Sequence, residues 1–595
     1  MATGGTPALP PPPTGHYQME DLDRGVVAVK VSGGIYVGWR MLGYEYNPTS
    51  PSSISYNLYR DGKKIASVTD STNYLDAAGT TSSVYTVTPV FSGAEGPQSP
   101  EVKPWANNYL RIPLNPPGSG YDANDGSPGD LDGDGQYEIV LKWQPTNAKD
   151  NSQNGVTDNT YLDGLKLDGT RMWRIDLGKN IRSGAHYTQH AVYDFDGDGK
   201  AEIAVKTAPG TKDGKGKFLS KGPAASDDDN ATLRNGDGYI LSGPEYLTVF
   251  SGATGEELAT VTFPVVRGTV SSWGDSYGNR VDRFNGGASF VKDGGKATGL
   301  PSIIQQRGYY TRLTIGAYTY RGGVLAKNWI YDSGNSGGAY GQGNHSISTA
   351  DVDGDGAMEL IPGASTINSD GTFKCSTKMD HGDALHVSEF SPGKGIQVFM
   401  PHEGKGGFDL HNGATCAIIK GVTGGDDNGR GVAADVDPNS PGGEFWSAKD
   451  ANRYSAVTGA SLGPKPEVQN FLIWWDADES RELQDGATIS KFGGGTLLNA
   501  SGCSGNNGTK NTPTLVADLL GDWREELVVR ETNNTGLRIY TTTAVTKRRI
   551  YTLMHDPTYR MQVSMQQSSY NQPSHPGFHI GNGMKDPPKP DIFIK

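Results

Sequence analysis

The chain has 595 residues and a formal net charge of −13, an acidic balance that argues against a general nucleic-acid binder but allows an anionic substrate met by a local cluster of Arg, Lys or metal. Its 83 Gly, 35 Pro, 28 Tyr and 10 Trp, with no sustained i, i+3, i+4 apolar rhythm, suit short strands joined by turns, so a nearly all-β fold is expected. No apolar run is long enough to cross a bilayer, and Cys375, Cys416 and Cys503 allow at most one disulfide.

Residues 1–14, with Pro10, Pro11, Pro12 and Pro13, are expected to be a disordered start, and they lack the basic and apolar regions of a signal peptide. From 15 to 107, runs such as Val27-Ala28-Val29-Lys30-Val31, Ile35-Tyr36-Val37-Gly38-Trp39 and Val84-Tyr85-Thr86-Val87-Thr88 alternate as half-buried strands and predict a fibronectin-like β-sandwich.

Beyond 108 a new unit begins. Asp130, Asp132, Asp134 and Glu138 form a D-x-D-G-D-G-x-x-E stretch, repeated by Asp194, Asp196, Asp198, Glu202 and by Asp351, Asp353, Asp355, Glu359. Two copies are degraded: Asp435, Asp437 and Glu444, whose Glu comes one residue late, and Asp518, Asp522 and Glu526. Alternating short carboxylates point inward, the glycines permit the sharp turn, and the last Glu closes a shell of hard oxygen ligands suited to calcium. Each Glu then opens a β-branched run, as in Glu138-Ile139-Val140-Leu141, so the loop feeds a strand where the familiar helix-flanked calcium loop feeds a helix. A blade of a β-propeller needs roughly 40–50 residues, so 108–595 has room for about seven or eight blades with long connections. Loops of this kind suit a calcium-rich, extracellular setting, and a secreted protein whose signal peptide has been removed is expected.

Between the loops lie segments too particular to be turns: Lys179 to Gln189, Trp273 to Phe284, Gly341 to His345, His381 to His386, Asn506 to Lys510 and Tyr551 to Pro557. Taken together they resemble the rhamnogalacturonan lyases of polysaccharide lyase family 11. The resemblance implies an eight-bladed propeller carrying several calcium ions. It also implies a monomer that cleaves the alternating rhamnose–galacturonate backbone of the pectin rhamnogalacturonan I by β-elimination, with neither nucleic acid nor membrane as partner.

By the same resemblance His345, His381, Asp383 and Glu403 gather around one further calcium near the substrate. Histidine is an unusual calcium ligand, so zinc and manganese are alternatives. Asn124, Asn507, Gly508, Thr509 and Tyr570 match sugar-contact positions, as does Gln144, where the family pattern calls for an acid. Lys510 and Arg430 match the uronate side and are the catalytic candidates, Lys510 as base because it can become a neutral amine. His186, His381 or a metal-bound hydroxide are alternatives for that role. The rival class is a non-catalytic calcium-dependent adhesion or carbohydrate-binding propeller. A glycoside hydrolase would need two carboxylates set across the bond.

Overall fold

A computed structural model of the chain describes residues 14–595. The expected disordered start therefore falls almost wholly outside the described residues; Thr14 itself bridges to Phe593. Its regular secondary structure is almost all strand, as the composition predicts, and the single α-helix among the described residues is Pro557–Met565, here α1.

The N-terminal region is a β-sandwich. One sheet holds Val27–Val31, Gly34–Gly38 and Asn73–Asp76; the other holds Lys63–Val68, Ile54–Arg60, Tyr85–Phe91 and Ala94–Glu95. Trp39, Tyr56, Leu58, Tyr85 and Val87 are fully buried between them. The strand that precedes Val27 belongs to neither of these sheets. Tyr17–Met19 pairs in parallel with Ile592–Ile594 at the far end of the chain, and Gln18 and Asp23 bond to the backbone at Asp194 and Gly135.

The rest of the chain repeats one unit. Seven four-stranded antiparallel sheets follow each other in sequence, within 121–176, 190–262, 284–332, 343–376, 386–422, 431–464 and 471–499. In the eighth, Leu515–Ala517, Glu526–Glu531 and Gly536–Tyr540 take their outer strand from Tyr109–Pro113, the segment that leaves the sandwich. Gly126 N–H donates to Thr514 O at 2.9 Å, which ties the first sheet to the eighth. First strands are buried along their whole length, as in Gly343–Ala350, whereas a last strand such as Val324–Asp332 is half exposed. That gradient explains why the inner runs show no alternation while the outer ones do.

Helix α1 lies amid the first strands. All nine of its residues are buried, and several polar side chains in and just after it bond to strand backbone. Gln562 donates to Thr349 O and Val387 O, Ser564 accepts from Ala288 N–H, and Gln566 pairs with both backbone groups of Val516. With no dry face and no wet face, α1 has no amphipathic signature to find in the sequence.

Every aspartate loop joins the first strand of a sheet to its second. In the three intact copies the first Asp accepts N–H bonds from the residues three, four and five places on, and the last Glu accepts from the residue after that Asp. The turn needs positive φ twice, met by Gly133 and Gly135 at 82° and 85° and likewise in the other two copies. Ligand oxygens of Asp194, Asp196, Asp198 and Glu202 all come within 4.8 Å of one another, as do those of Asp130, Asp132 and Glu138, and of Asp351, Asp353 and Asp355.

The degraded copies differ from the expectation. At the fifth loop Asp522 turns both oxygens to Arg524 and also meets Tyr36 and Asn73 of the sandwich, while Asp518 accepts from Thr552 and Leu553. An arginine inside the loop has taken the cation's place, and the loop is where the N-terminal domain docks. At the fourth, Asp437 pairs with Arg453, and only one buried oxygen each of Asp435 and Glu444 is left unpartnered. A sixth cluster went unread in the sequence: Asp476, Asp478 and Glu482 lack the glycine pair, and the Lys491 ammonium lies 2.8–2.9 Å from all three. The buried Cys416 is bonded to Cys375, leaving Cys503 free.

Candidate active site

The inner strands have two ends. Gly343–Ala350 runs into Asp351 at one end and carries His345 near the other, six positions away, which is roughly 20 Å of extended strand. The loops that hold acidic clusters and the groups that can do chemistry are thus on opposite faces.

On the second face, connections from several sheets converge. His345 comes from the start of the fourth sheet, His381 and Asp383 from the link between the fourth and fifth, and Glu403 from a turn inside the fifth. One ligand atom from each lies within 4.8 Å of the others. His381 Nε2 is 3.4 Å from Glu403 Oε2, and His345 Nε2 is 3.3 Å from Asp383 Oδ1. His381 Nδ1 donates to Gly343 O at 2.8 Å, which fixes its tautomer and leaves Nε2 as a lone pair facing the carboxylates. That Nε2 and Asp383 Oδ1 are both buried without a hydrogen-bond partner. Leaving two such acceptors face to face is costly unless a cation lies between them, so this donor set fits a divalent metal.

Electrostatics agree. Burial holds His381 down to about 3 and His345 well below the usual imidazole range, so both are neutral, the form that ligates. Burial and the neighbouring Asp383 push Glu403 up to about 7, the mark of a carboxylate short of positive charge.

Lys510 lies beside this cluster. Its Nζ donates to Asp383 Oδ2 at 3.0 Å and lies 4.8 Å from the centre of the Tyr570 ring, which stacks on His345 at 4.6 Å. Tyr570 arrives on the segment that follows α1. Asn507, at φ 58°, starts the short turn Gly508–Lys510; its amide donates to Thr512 and Asn571, and Gly508 and Thr509 are exposed at the rim.

Asn124 sits at a bulge in the first sheet, its buried Oδ1 unpartnered. Gln144 pairs across the strands with Asp122, so a carboxylate stands beside the position where an acid was expected. Asn534 bonds Asp122 and Ala123, and Arg530 joins Asn534 to Asn506, which brings these first-sheet residues next to the Asn507 turn.

Arg430 is less free than a carboxylate clamp requires. It is buried, and its guanidinium donates to Asp383 O, Tyr570 O, Asn470 O and Asn470 Oδ1, leaving no parallel pair of N–H groups. Arg430→Lys should therefore cost stability, on the order of 2 kcal/mol for the carbonyls one ammonium cannot reach, and show as a lowered Tm. A variant as stable as the parent but weaker for a uronate would return Arg430 to the role of substrate clamp.

Several residues at the site carried no signal of their own. Tyr309 Oη lies 3.1 Å from Nδ1 of both His186 and His345, and Tyr310 Oη lies 3.0 Å from His345 Nε2. His186 is 3.4 Å from Asp150, and burial holds its imidazole down at about 4, so as a base it would be weak. Arg283, buried and bonded to Asn279, closes the floor. Only the adjacent tyrosines after a strand could have hinted at this, and tyrosine pairs in cores are common.

Comparison with known proteins was informative over almost the whole chain. Residues 109–590 match the C-terminal domain of rhamnogalacturonan lyase family 11, and 17–105 match the β-sheet domain of rhamnogalacturonan I lyases. The chain is 51% identical over 598 residues to the rhamnogalacturonan endolyase YesW of Bacillus subtilis, covering 97% of this chain and 93% of that one. It is 47% identical to the rhamnogalacturonan exolyase YesX of the same organism, covering 97% and 98%. Its structure superposes on the crystal structure of YesW, at 50% identity, with a TM-score of 0.92, covering 98% of this chain and all (100%) of that one. A Bacillus licheniformis rhamnogalacturonan lyase gives the same TM-score of 0.92 at 51% identity and the same coverage, 98% and 100%. The chain belongs to rhamnogalacturonan lyase family 11.

Proposed function

We propose that this protein is a secreted rhamnogalacturonan endolyase that cuts the rhamnose-(1→4)-galacturonate bond of the rhamnogalacturonan I backbone by β-elimination. The observation that carries the reading is the cluster of His345, His381, Asp383 and Glu403, with two buried unpartnered acceptors, beside Lys510. Elimination needs the C5 proton of the galacturonate, which is weakly acidic while the adjacent carboxylate keeps its charge. Those four residues would hold a divalent ion, calcium first among candidates, which when bound would supply positive charge to neutralise that carboxylate. Lys510 Nζ, as the neutral amine, takes the C5 proton, the C4–O bond breaks, a C4=C5 double bond forms, and the electron pair leaves on the oxygen attached to rhamnose, which then takes up a proton. Tyr570 offers a ring face for a sugar, and Asn124, Asn507, Gly508 and Thr509 supply amide and hydroxyl groups at the rim.

The eight sheets are proposed to close as a propeller, since the outer strand of the eighth comes from before the first and Gly126 bonds to Thr514. Calcium in the three intact loops would hold the opposite face. With α1 filling the centre, a polymer has to lie across the face, and this favours internal cuts.

The test is to add rhamnogalacturonan I and follow the ultraviolet absorbance of an unsaturated uronate together with product size. Absorbance with a broad range of early products is expected. Absorbance with only short products would make the enzyme an exolyase, and binding without absorbance would make it the adhesion propeller.

A further inference from the structure

The stretch 273–284 carries two arginines that the reaction described above does not use, Arg280 and Arg283. Arg280 lies in the connection from the second sheet to the third, and its backbone is fixed: the N–H groups of Tyr277, Gly278, Asn279 and Arg280 converge on Asp275 at 2.8–3.1 Å. Its guanidinium carbon lies 3.7 Å from the centre of the Tyr310 ring. Tyr310 in turn lies 4.0 Å from the ring of His381, so Arg280 stands one aromatic layer from the metal-binding cluster.

Arg280 differs from the arginines around it. Arg283 is buried and spent on Asn279, and Arg430 is spent on carbonyls. Arg280 is half-buried, and its guanidinium makes no hydrogen bond or ion pair among the described residues. Stacking occupies the face of a guanidinium and leaves its edge, where the N–H groups are, open to an oxyanion. Lys510 adjoins the cluster through Asp383, at 3.0 Å, and Arg280 adjoins it through Tyr310 and His381.

In an alternating backbone the next carboxylate lies two sugars from the one being cleaved. We propose that Arg280 binds that second galacturonate through its carboxylate, so that the enzyme reads a repeat length of its polymer rather than a single uronate. This rests on the proposed function.

The test compares the parent with Arg280→Gln on oligosaccharides of increasing length, measuring kcat and KM separately, with metal affinity titrated in the same samples. On substrates long enough to present two galacturonates KM should rise about tenfold, the loss of one charge-assisted pair, while kcat and metal affinity stay put. On the shortest substrate, with one galacturonate at the scissile bond, the two proteins should match. Reducing the distal carboxyl to an alcohol should weaken the parent by the same factor and leave Arg280→Gln unchanged, and Arg280→Lys should recover part of the loss. Equal loss at all lengths, a fall in metal affinity, or no loss on long substrates each overturns the proposal. Should the parent release no unsaturated uronate, the reaction is what fails, and the same length series read by equilibrium binding still decides Arg280.

Discussion

Chelation should lower the Tm of this protein by on the order of 10 °C at pH 8 and by much less at pH 5. A site filled at a hundred times its dissociation constant contributes about 2.7 kcal/mol, and three intact loops are in play. The pH dependence follows from the Glu that closes each loop. Without metal, burial, and after it the neighbouring aspartates, raise Glu138 and Glu359 to about 7 and Glu202 to about 9, against about 4.3 for a free glutamate. A raised value in the folded state means that folding favours the proton. The stabilisation is complete below pH ~4.3 and is lost as pH climbs through 7 to 9, so the metal-free protein weakens with rising pH. Lys166, which pairs with Asp132, and Lys374, 2.7 Å from Asp353, soften the repulsion without removing it. Calorimetry at both pH values, with and without chelator, checks this. The same Tm with metal shown to be gone would remove structural metal from the account, and an equal drop at both pH values would remove the closing glutamates from its pH dependence.

The second large effect belongs to Lys510. Lys510→Met keeps most of the side-chain length and removes the amine, and kcat should fall by at least a hundredfold while substrate affinity changes little. The structure sharpens what this means, because the Lys510 ammonium is already 3.0 Å from Asp383 Oδ2. Asp383 is also one of the four converging residues, so as base Lys510 requires that carboxylate to be engaged elsewhere; as uronate contact it does not. Near-normal turnover at saturating substrate with weaker binding would make Lys510 a binding residue. His381 and His186, held near 3 and 4, are poor replacements as bases, which would leave the metal's own water.

What the sequence showed and what it hid follow one physical rule. Contacts local in the chain leave a pattern: the three intact loops are closed by bonds among their own nine residues and were readable residue by residue. Non-local substitutions do not. Nothing in Asp518 to Glu526 announces that Arg524 serves as the cation and that Tyr36 and Asn73, more than 400 residues away, complete the cluster. Lys491 hides the Asp476 loop in the same way. At the active face the four converging residues were legible through resemblance, but Tyr309, Tyr310 and Arg280 act by stacking, which imposes no spacing. Arg430 lies beside Asp383 and Tyr570 with its donors already committed, and only coordinates show that.

Helix α1 sets the order in which the molecule can be made. Chains emerge from the ribosome N-terminus first, at roughly 5–20 residues per second, and α1 starts at residue 557 of 595. Until it appears, the backbone groups of Thr349, Val387 and Val516 have no permanent partner, and Tyr109–Pro113, made early, has to wait for Gly536–Tyr540. A nascent chain therefore spends many seconds as a row of sheets with an open edge at its start and bare carbonyls along its middle. A stop codon a few dozen residues early would remove the hub and Tyr570 together, giving a product prone to aggregate as well as one without a complete site.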